Sequence, residues 1–326
     1  MTPLHGHDEA VAAFRDGMES GRLHHAWLVS GPEGVGKALF AHKAALRVLA
    51  EGQGPMPDSG LDVPDDHPAA HLIAAGSHPD MMRLERLPKD NGELARSISV
   101  DQVRGLQRLF GTTSSFSPWR VVIVDSIDDL ERAAANALLK NLEEPPPFSL
   151  FLLVSHASER LLPTIRSRCR LLRLKTLDDD AMTSALRSAL PEATESEIEE
   201  LKVAGEGSPG RALAFRGLDI SGLDRAMRDL VRDGDPTNTG RTKLAQSLSL
   251  KAAQPRYEAF LSRAPSMIAA AAKERRGAAL ADALRLWERA QSLASSATHL
   301  SLEPQSVVFE LAGMLATLSS RSARNG

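Results

Sequence analysis

Cysteine is almost missing from this 326-residue sequence. The single Cys169 excludes an intramolecular disulfide and any cysteine-cluster zinc site. Aromatic residues are scarce at 4%, so cores must be built mainly from Leu, Ala, Val and Ile, which favours helix-rich packing. No uninterrupted apolar run reaches bilayer-spanning length. The polar stretch Met1 to Glu9 carries no apolar signal core. A cytoplasmic protein without membrane contact is expected. Neither sign of charge dominates: the net charge of -3 gives no global basic surface for nucleic acid, although a local basic face stays open. His24, His25, His71 and His78 lack the clustering of a metal site and are expected at the surface or in loops. What is present is ordinary globular material, 42% hydrophobic and 25% charged, long enough for two or three domains.

Along the chain, Val11, Phe14 and Met18 mark a first helix closed by Gly21. Ala26–Ser30 reads as a short buried strand, followed by the turn Gly31 to Gly36 and a helix from Lys37 carrying Phe40, Ala44 and Val48. Gly52 to Pro68, rich in Pro, Gly and Asp, reads as a loop or surface insertion. Met81–Leu87 is an alternating strand, and Val100–Phe110 an amphipathic helix with Val103, Leu106 and Phe110 on one face. Arg120–Asp125 is apolar in the manner of a buried parallel strand. Helix Glu131–Glu143 follows and stops at Pro145-Pro146-Pro147, ahead of strand Leu150–Val154. Alternating strands and helices predict a doubly wound α/β sheet over 1–175. Short helices at Asp178–Leu190, Ser196–Ala204 and Gly210–Phe215 form a small helical lid, 176–218. The remainder, 219–326, reads as an all-α domain with stripes Leu280, Leu284, Trp287, Leu293 and Val308, Leu311, Leu315, Leu318.

Gly31-Pro32-Glu33-Gly34-Val35-Gly36-Lys37 fits the first seven positions of G-x-x-x-x-G-K-[ST] between a strand and a helix. The glycines let backbone N–H groups converge on phosphate, and Lys37 neutralises its charge. Ala38, however, stands where a hydroxyl ligates Mg²⁺. Asp125, at a strand end, holds the usual Mg²⁺-side position, but Ser126 follows it and cannot act as a base. Asp128 and Asp129 fall in the next turn, aimed elsewhere. The expectation is a degenerate nucleotide site of Gly31, Gly34, Gly36, Lys37, Ala38 and Asp125, with Ser155 as a polar residue after strand Leu150–Val154. Weak ATP or ADP binding is possible there, and little or no turnover is expected.

Three stretches point further. Ile98-Ser99-Val100-Asp101-Gln102-Val103-Arg104 precedes strand Arg120–Asp125, and Asn136-Ala137-Leu138-Leu139-Lys140-Asn141-Leu142-Glu143-Glu144-Pro145-Pro146 follows it. Ser167-Arg168-Cys169 comes after strand Leu150–Val154. Together, over roughly residues 20 to 215, they resemble the clamp-loader branch of AAA+ proteins, and within it the delta-prime subunits of DNA polymerase III. The resemblance implies an AAA+ domain, a lid and a C-terminal collar. It also implies a stator that donates Arg168 to the phosphate held by a neighbouring ATPase subunit, and makes Ser155 the sensor 1 position. Implied partners are gamma/tau motor subunits and a delta subunit, with the sliding clamp and primed DNA reached through the complex. The family's lid arginine, sensor 2, falls in Gly-Ser-x-Arg-x-Ala-Leu. Here Gly207-Ser208-Pro209-Gly210-Arg211-Ala212-Leu213 places Gly210 there, and Arg211 is turned by about 100°. Some delta-prime relatives carry a four-cysteine zinc module where this chain has residues 52–68, so no zinc is expected and no other cofactor is required. Two readings compete: an active gamma/tau-like ATPase firing at Lys37 with metal held through Asp125, and an ATP-binding, DNA-bridging protein outside replication. Cys169 reads as a small apolar residue entering the next strand rather than a nucleophile.

Overall fold

The computed structural model describes residues 2–54, 56–57, 60–90, 92–300 and 302–319. It divides into two compact units, Met1–Ala212 and Leu213–Gly326. In chain order the first contains α1 (Asp8–Glu19), β1 (Ala26–Ser30), α2 (Lys37–Glu51), α3 (Pro68–Ala74), β2 (Met81–Glu85), α4 (Val100–Arg104), α5 (Leu106–Gly111), β3 (Arg120–Asp125), α6 (Arg132–Glu143), β4 (Ser149–Ser155), α7 (Pro163–Arg166), β5 (Arg170–Arg173), α8 (Asp179–Ala189) and α9 (Glu195–Gly205). Helix α10 (Pro209–Ala214) runs across the division, and α11 (Ile220–Asp233), α12 (Thr239–Leu248), α13 (Gln254–Lys273), α14 (Gly277–Leu300) and α15 (Pro304–Thr317) build the second unit.

The sheet order is β2-β3-β4-β1-β5, with every pairing parallel. Strand side chains alternate between two cores. Trp27, Val29, Val121, Ile123, Leu150, Leu152 and Val154 pack with α1, α2 and α3. Ala26, Leu28, Val122, Val124, Phe151 and Leu153 pack with α4, α5, α6 and α7 on the other face. Both faces are therefore covered, which is why these strands read as continuous apolar runs. This is the doubly wound sheet expected. Because the sheet is parallel and the chain reverses around β1, the ends of β1, β3 and β4 open on one crevice, where such folds bind ligands.

Some local expectations change. The helix expected over Val100–Phe110 is two short ones, α4 and α5, meeting at Gly105, a residue of poor helix propensity. Val103 and Leu106 are buried as expected and are joined by Leu109, and the partly buried Phe110 packs on the same core with its ring 5.8 Å from that of Phe151. Strand β2 stops at Glu85 rather than Leu87. In α14 the buried residues are Ala283, Ala290 and Ala297, not the Leu280–Leu293 stripe, and Leu284 is exposed. Small residues at seven-residue spacing let α13 and α14 pack closely. The second stripe is buried: Val308, Leu311, Leu315 and Leu318 form part of this unit's core.

The 52–68 segment, of which 55, 58 and 59 lie outside the described residues, is anchored rather than loose. Leu61 and Val63 enter the core against α2. Arg47, only 2% exposed, donates Nε to Glu51 Oε1 at 2.8 Å and Nη2 to the Pro57 carbonyl at 2.6 Å. Arg15 reaches the same Glu51 oxygen at 2.6 Å, and Lys43 pairs with Asp62. A buried guanidinium satisfied on several sides is strongly coupled to its partners. Arg47→Ala should therefore cost on the order of 3 kcal/mol in urea unfolding. Limited proteolysis should show cleavage within 52–68 under conditions where the parent chain stays intact.

Candidate functional site

Strand β1 runs straight into the phosphate loop. The Leu174 N–H donates to Ser30 O at 2.8 Å, bringing the chain after β5 against the loop's first residue. A Cβ at Gly31 would lie 2.1 Å from the Leu174 carbonyl oxygen, so this approach admits only glycine. Lys37 opens α2 and is buried. Its Nζ donates to Gly31 O at 2.7 Å and Pro32 O at 2.6 Å, which leaves one of three ammonium hydrogens for a ligand oxygen. Burial lowers the Lys37 pKa, against the attraction of Glu33, Asp128 and Asp125.

Its metal side is altered. Ala38 is exposed on the first turn of α2, offering a methyl where an oxygen ligand is needed. Asp125 is occupied: Arg83, from the neighbouring strand β2, donates Nη2 to Asp125 Oδ2 at 2.8 Å and also meets Glu85 at 3.0 Å. A protein cation therefore sits on the carboxylate that a metal ion would use. Ser126 is buried, and its hydroxyl donates to Asp129 at 3.2 Å. Asp128 corrects the expectation that it aims elsewhere. It accepts from Ser155 Oγ at 3.0 Å and from the His156 N–H at 2.7 Å, and its charge acts on Lys37. The turn after β3 folds back over the end of β4, and the fully buried Ser155 is what holds it there.

The lid contacts the loop backbone directly. The Gly210 N–H donates to Gly34 O at 2.8 Å. A Cβ on Gly34 would lie 2.7 Å from Arg211 N, and one on Gly210 would lie 2.9 Å from Gly34 Cα. Arg211 points to Glu206 instead, with Nη1 3.0 Å from its carboxylate. From the other side, His7 Nε2 hydrogen-bonds the Val35 carbonyl at 2.8 Å and Leu4 rests near Gly36. Burial lowers the His7 pKa, which favours a neutral ring donating Nε2–H to that carbonyl.

Arg168 lies just beyond α7, 34% exposed, with Nη2 2.8 Å from Glu143 and Nη1 2.9 Å from Thr164 O. Of its basic neighbours, Arg170 stacks over Trp27 at 4.7 Å, and Arg166 and Arg173 are exposed. The Cys169 thiol is pushed up to about 12 by burial against the α6 side of the core, so it is a packing residue and not a nucleophile. Among the described residues no His, Cys, Asp and Glu group is arranged to hold a metal ion. His78, expected at the surface or in a loop, is in a loop but buried, its Nδ1 accepting from the Asp80 N–H at 3.2 Å. The structure therefore puts Gly31, Gly34, Gly36, Lys37 and Ala38 on the turn and helix that follow β1, and Asp125 and Ser155 at the ends of β3 and β4, with the charges of Asp125 and Asp128 acting on Lys37. Sequence reasoning missed Arg83 and the backbone contact of Gly210. The available signal for the first was a lone arginine in an apolar strand beside an aspartate-ended one.

A family model described as DNA polymerase III, delta subunit, matches residues 6–178. The chain is 37% identical over 196 residues to the DNA polymerase III subunit delta' of Pseudomonas aeruginosa, covering 60% of this chain and 57% of the relative. It is 34% identical over 170 residues to the subunit delta' of Haemophilus influenzae, covering 52% and 48%. To the DNA polymerase III subunit tau of Escherichia coli it is 31% identical over 226 residues, covering 67% and 33%. The chain spans about half the length of the delta' relatives it matches. No helix among the described residues is long and apolar enough to cross a membrane.

The Gly34–Gly210 approach leaves no room for a side chain. Gly210→Ala should destabilise the first unit by about 1–3 kcal/mol through overpacking. Gly111→Ala, where nothing lies within 4 Å of the added carbon, should be close to neutral in the same thermal melts.

Proposed function

We infer that this chain, which belongs to the family described as DNA polymerase III, delta subunit, is a delta-prime-type clamp-loader subunit that does not fire at its own phosphate loop. The observation that carries the reading is the Arg83–Asp125 ion pair beside Ala38. A site that hydrolyses ATP needs a metal bridging the phosphates and held by a loop hydroxyl and this aspartate. Here the hydroxyl is absent and the aspartate already faces a guanidinium. The names of the delta' relatives support the same assignment.

In this reading the chain serves as a stator. Residues 1–175 form the AAA+ domain, 176–218 the lid and 219–326 the collar joining it to other subunits. Gamma/tau-type motors and a delta-type subunit are its partners, and the sliding clamp and primed DNA are met through the complex. Arg168 is offered to the γ-phosphate of a neighbouring ATPase. A guanidinium is permanently charged and forks onto phosphate oxygens, so it stabilises charge developing on the transferred group. The chain's own loop, with its glycines and the remaining hydrogen of Lys37, binds ATP or ADP weakly and without need of Mg²⁺.

Calorimetric titration with ATP should accordingly give the same weak affinity with and without Mg²⁺. The isolated chain should turn over far below about 1 s⁻¹. Turnover in the ordinary enzyme range would favour the motor reading.

In a reconstituted loader, Arg168→Ala should lower DNA-stimulated ATPase by about tenfold or more. Lys37→Ala in the same chain should change it little. The motor reading requires the opposite order.

A further inference from the structure

Arg168 does not hang free at the surface. One edge of its guanidinium meets Glu143 Oε1 at 2.8 Å. Another donates to Thr164 O at 2.9 Å and reaches Ser167 Oγ at 3.5 Å. Glu143 is the last residue of α6, where a carboxylate faces the negative end of the helix dipole and is favourable only with a cation beside it. Arg168 is that cation. Both holding groups stand on elements anchored in the same core: Leu138 and Leu142 bury α6, and Ile165 buries α7. The charges themselves are 34% and 47% exposed, so the pair contributes little to stability. What it fixes is geometry. A guanidinium presents five N–H donors in one rigid plane. Holding it at Nη1 and Nη2 sets that plane and leaves Nε–H and the outer hydrogens for a further anion.

We propose that Glu143 is the positioning residue of the Arg168 finger, holding the guanidinium in a preset plane and rotamer for the phosphate of a neighbouring subunit. This rests on the reading of Arg168 as a finger donated in trans. Glu143 touches no nucleotide; it acts through Arg168. A finger held in place is closer to its reactive geometry before the neighbour binds ATP, and the benefit falls on the chemical step rather than on nucleotide affinity. Exchange of the carboxylate for a neutral group lets the arginine sample other rotamers.

The test uses the full loader reconstituted with this chain as parent, Arg168→Ala, Glu143→Ala, Glu143→Gln, Glu143→Asp and the Arg168→Ala/Glu143→Ala double variant, measuring steady-state ATPase with primed DNA and clamp. Glu143→Ala is expected to lower kcat by about tenfold. Its KM for ATP should stay within about twofold, since the nucleotide is bound by the neighbour's own loop. Glu143→Asp should recover part of the loss, and the double variant should be no slower than Arg168→Ala, because both changes remove one interaction. Thermal stability and co-elution with the partners should match the parent. A Glu143→Ala kcat equal to or above the parent, or a loss that adds to that of Arg168→Ala, overturns the proposal. If Glu143→Ala fails to co-elute, Glu143→Gln carries the decision: reduced kcat in an intact complex supports positioning, and parental kcat refutes it. A silent Arg168→Ala refutes the finger reading itself, whereas a crippled Arg168→Ala beside a silent Glu143→Ala refutes only the role of Glu143.

Discussion

Two glycine backbones in contact, Gly34 in the loop and Gly210 at the start of α10, constrain most of what the first unit does. Their hydrogen bond of 2.8 Å closes the lid onto the loop with no side chain between. A side chain at position 210 has no room in this arrangement, so the close approach depends on glycine there. The rest of the lid reinforces it. The Leu177 N–H donates to Gly207 O at 2.8 Å, and His5 reaches Ser188 at 2.9 Å. With His7 on Val35 and Lys37 on Gly31 and Pro32, the loop carbonyls at 31, 32, 34 and 35 are all engaged.

The electrostatics of the crevice follow the same logic of internal satisfaction. Each carboxylate after β3 has a protein partner: Asp125 has Arg83, Asp128 has Ser155 and the His156 N–H, and Asp129 has Ser126 and Arg86. In a hydrolysing site such groups wait for metal and water. Here the chain itself supplies those partners.

Much of this was legible in the residues. The apolar runs of β1, β3 and β4 could hardly be anything but buried parallel strands, and Gly31 to Lys37 announced the turn between β1 and α2. Ala38 and Ser126 stand out at once as departures from the phosphate-loop pattern, because a missing functional group is visible without coordinates. Contacts between distant segments were less accessible. Arg83 lies far from Asp125 in sequence, and only the β2–β3 register, which sets Arg83 opposite Ile123 and Glu85 opposite Asp125, brings its side chain onto the aspartate. Asp128 was misjudged because its direction depends on the turn after β3, which Ser155 fixes from another strand. The α14 stripe failed for a different reason. Hydrophobicity pointed to leucines, whereas close helix packing selected the alanines.

The anchoring of residues 52–68 by Arg47, Arg15 and Lys43 has a consequence of its own. In relatives that hold this region with cysteines and zinc, its shape depends on metal supply and on thiols staying reduced. Here the fastening is guanidinium and ammonium on carboxylate and carbonyl, with Leu61 and Val63 pressed beneath. Such a joint depends on no chelatable metal and no reduced thiol, and its most oxidisable side chain is the Met56 thioether. A chain fastened this way keeps that surface through metal starvation, a condition under which a thiolate cage comes apart.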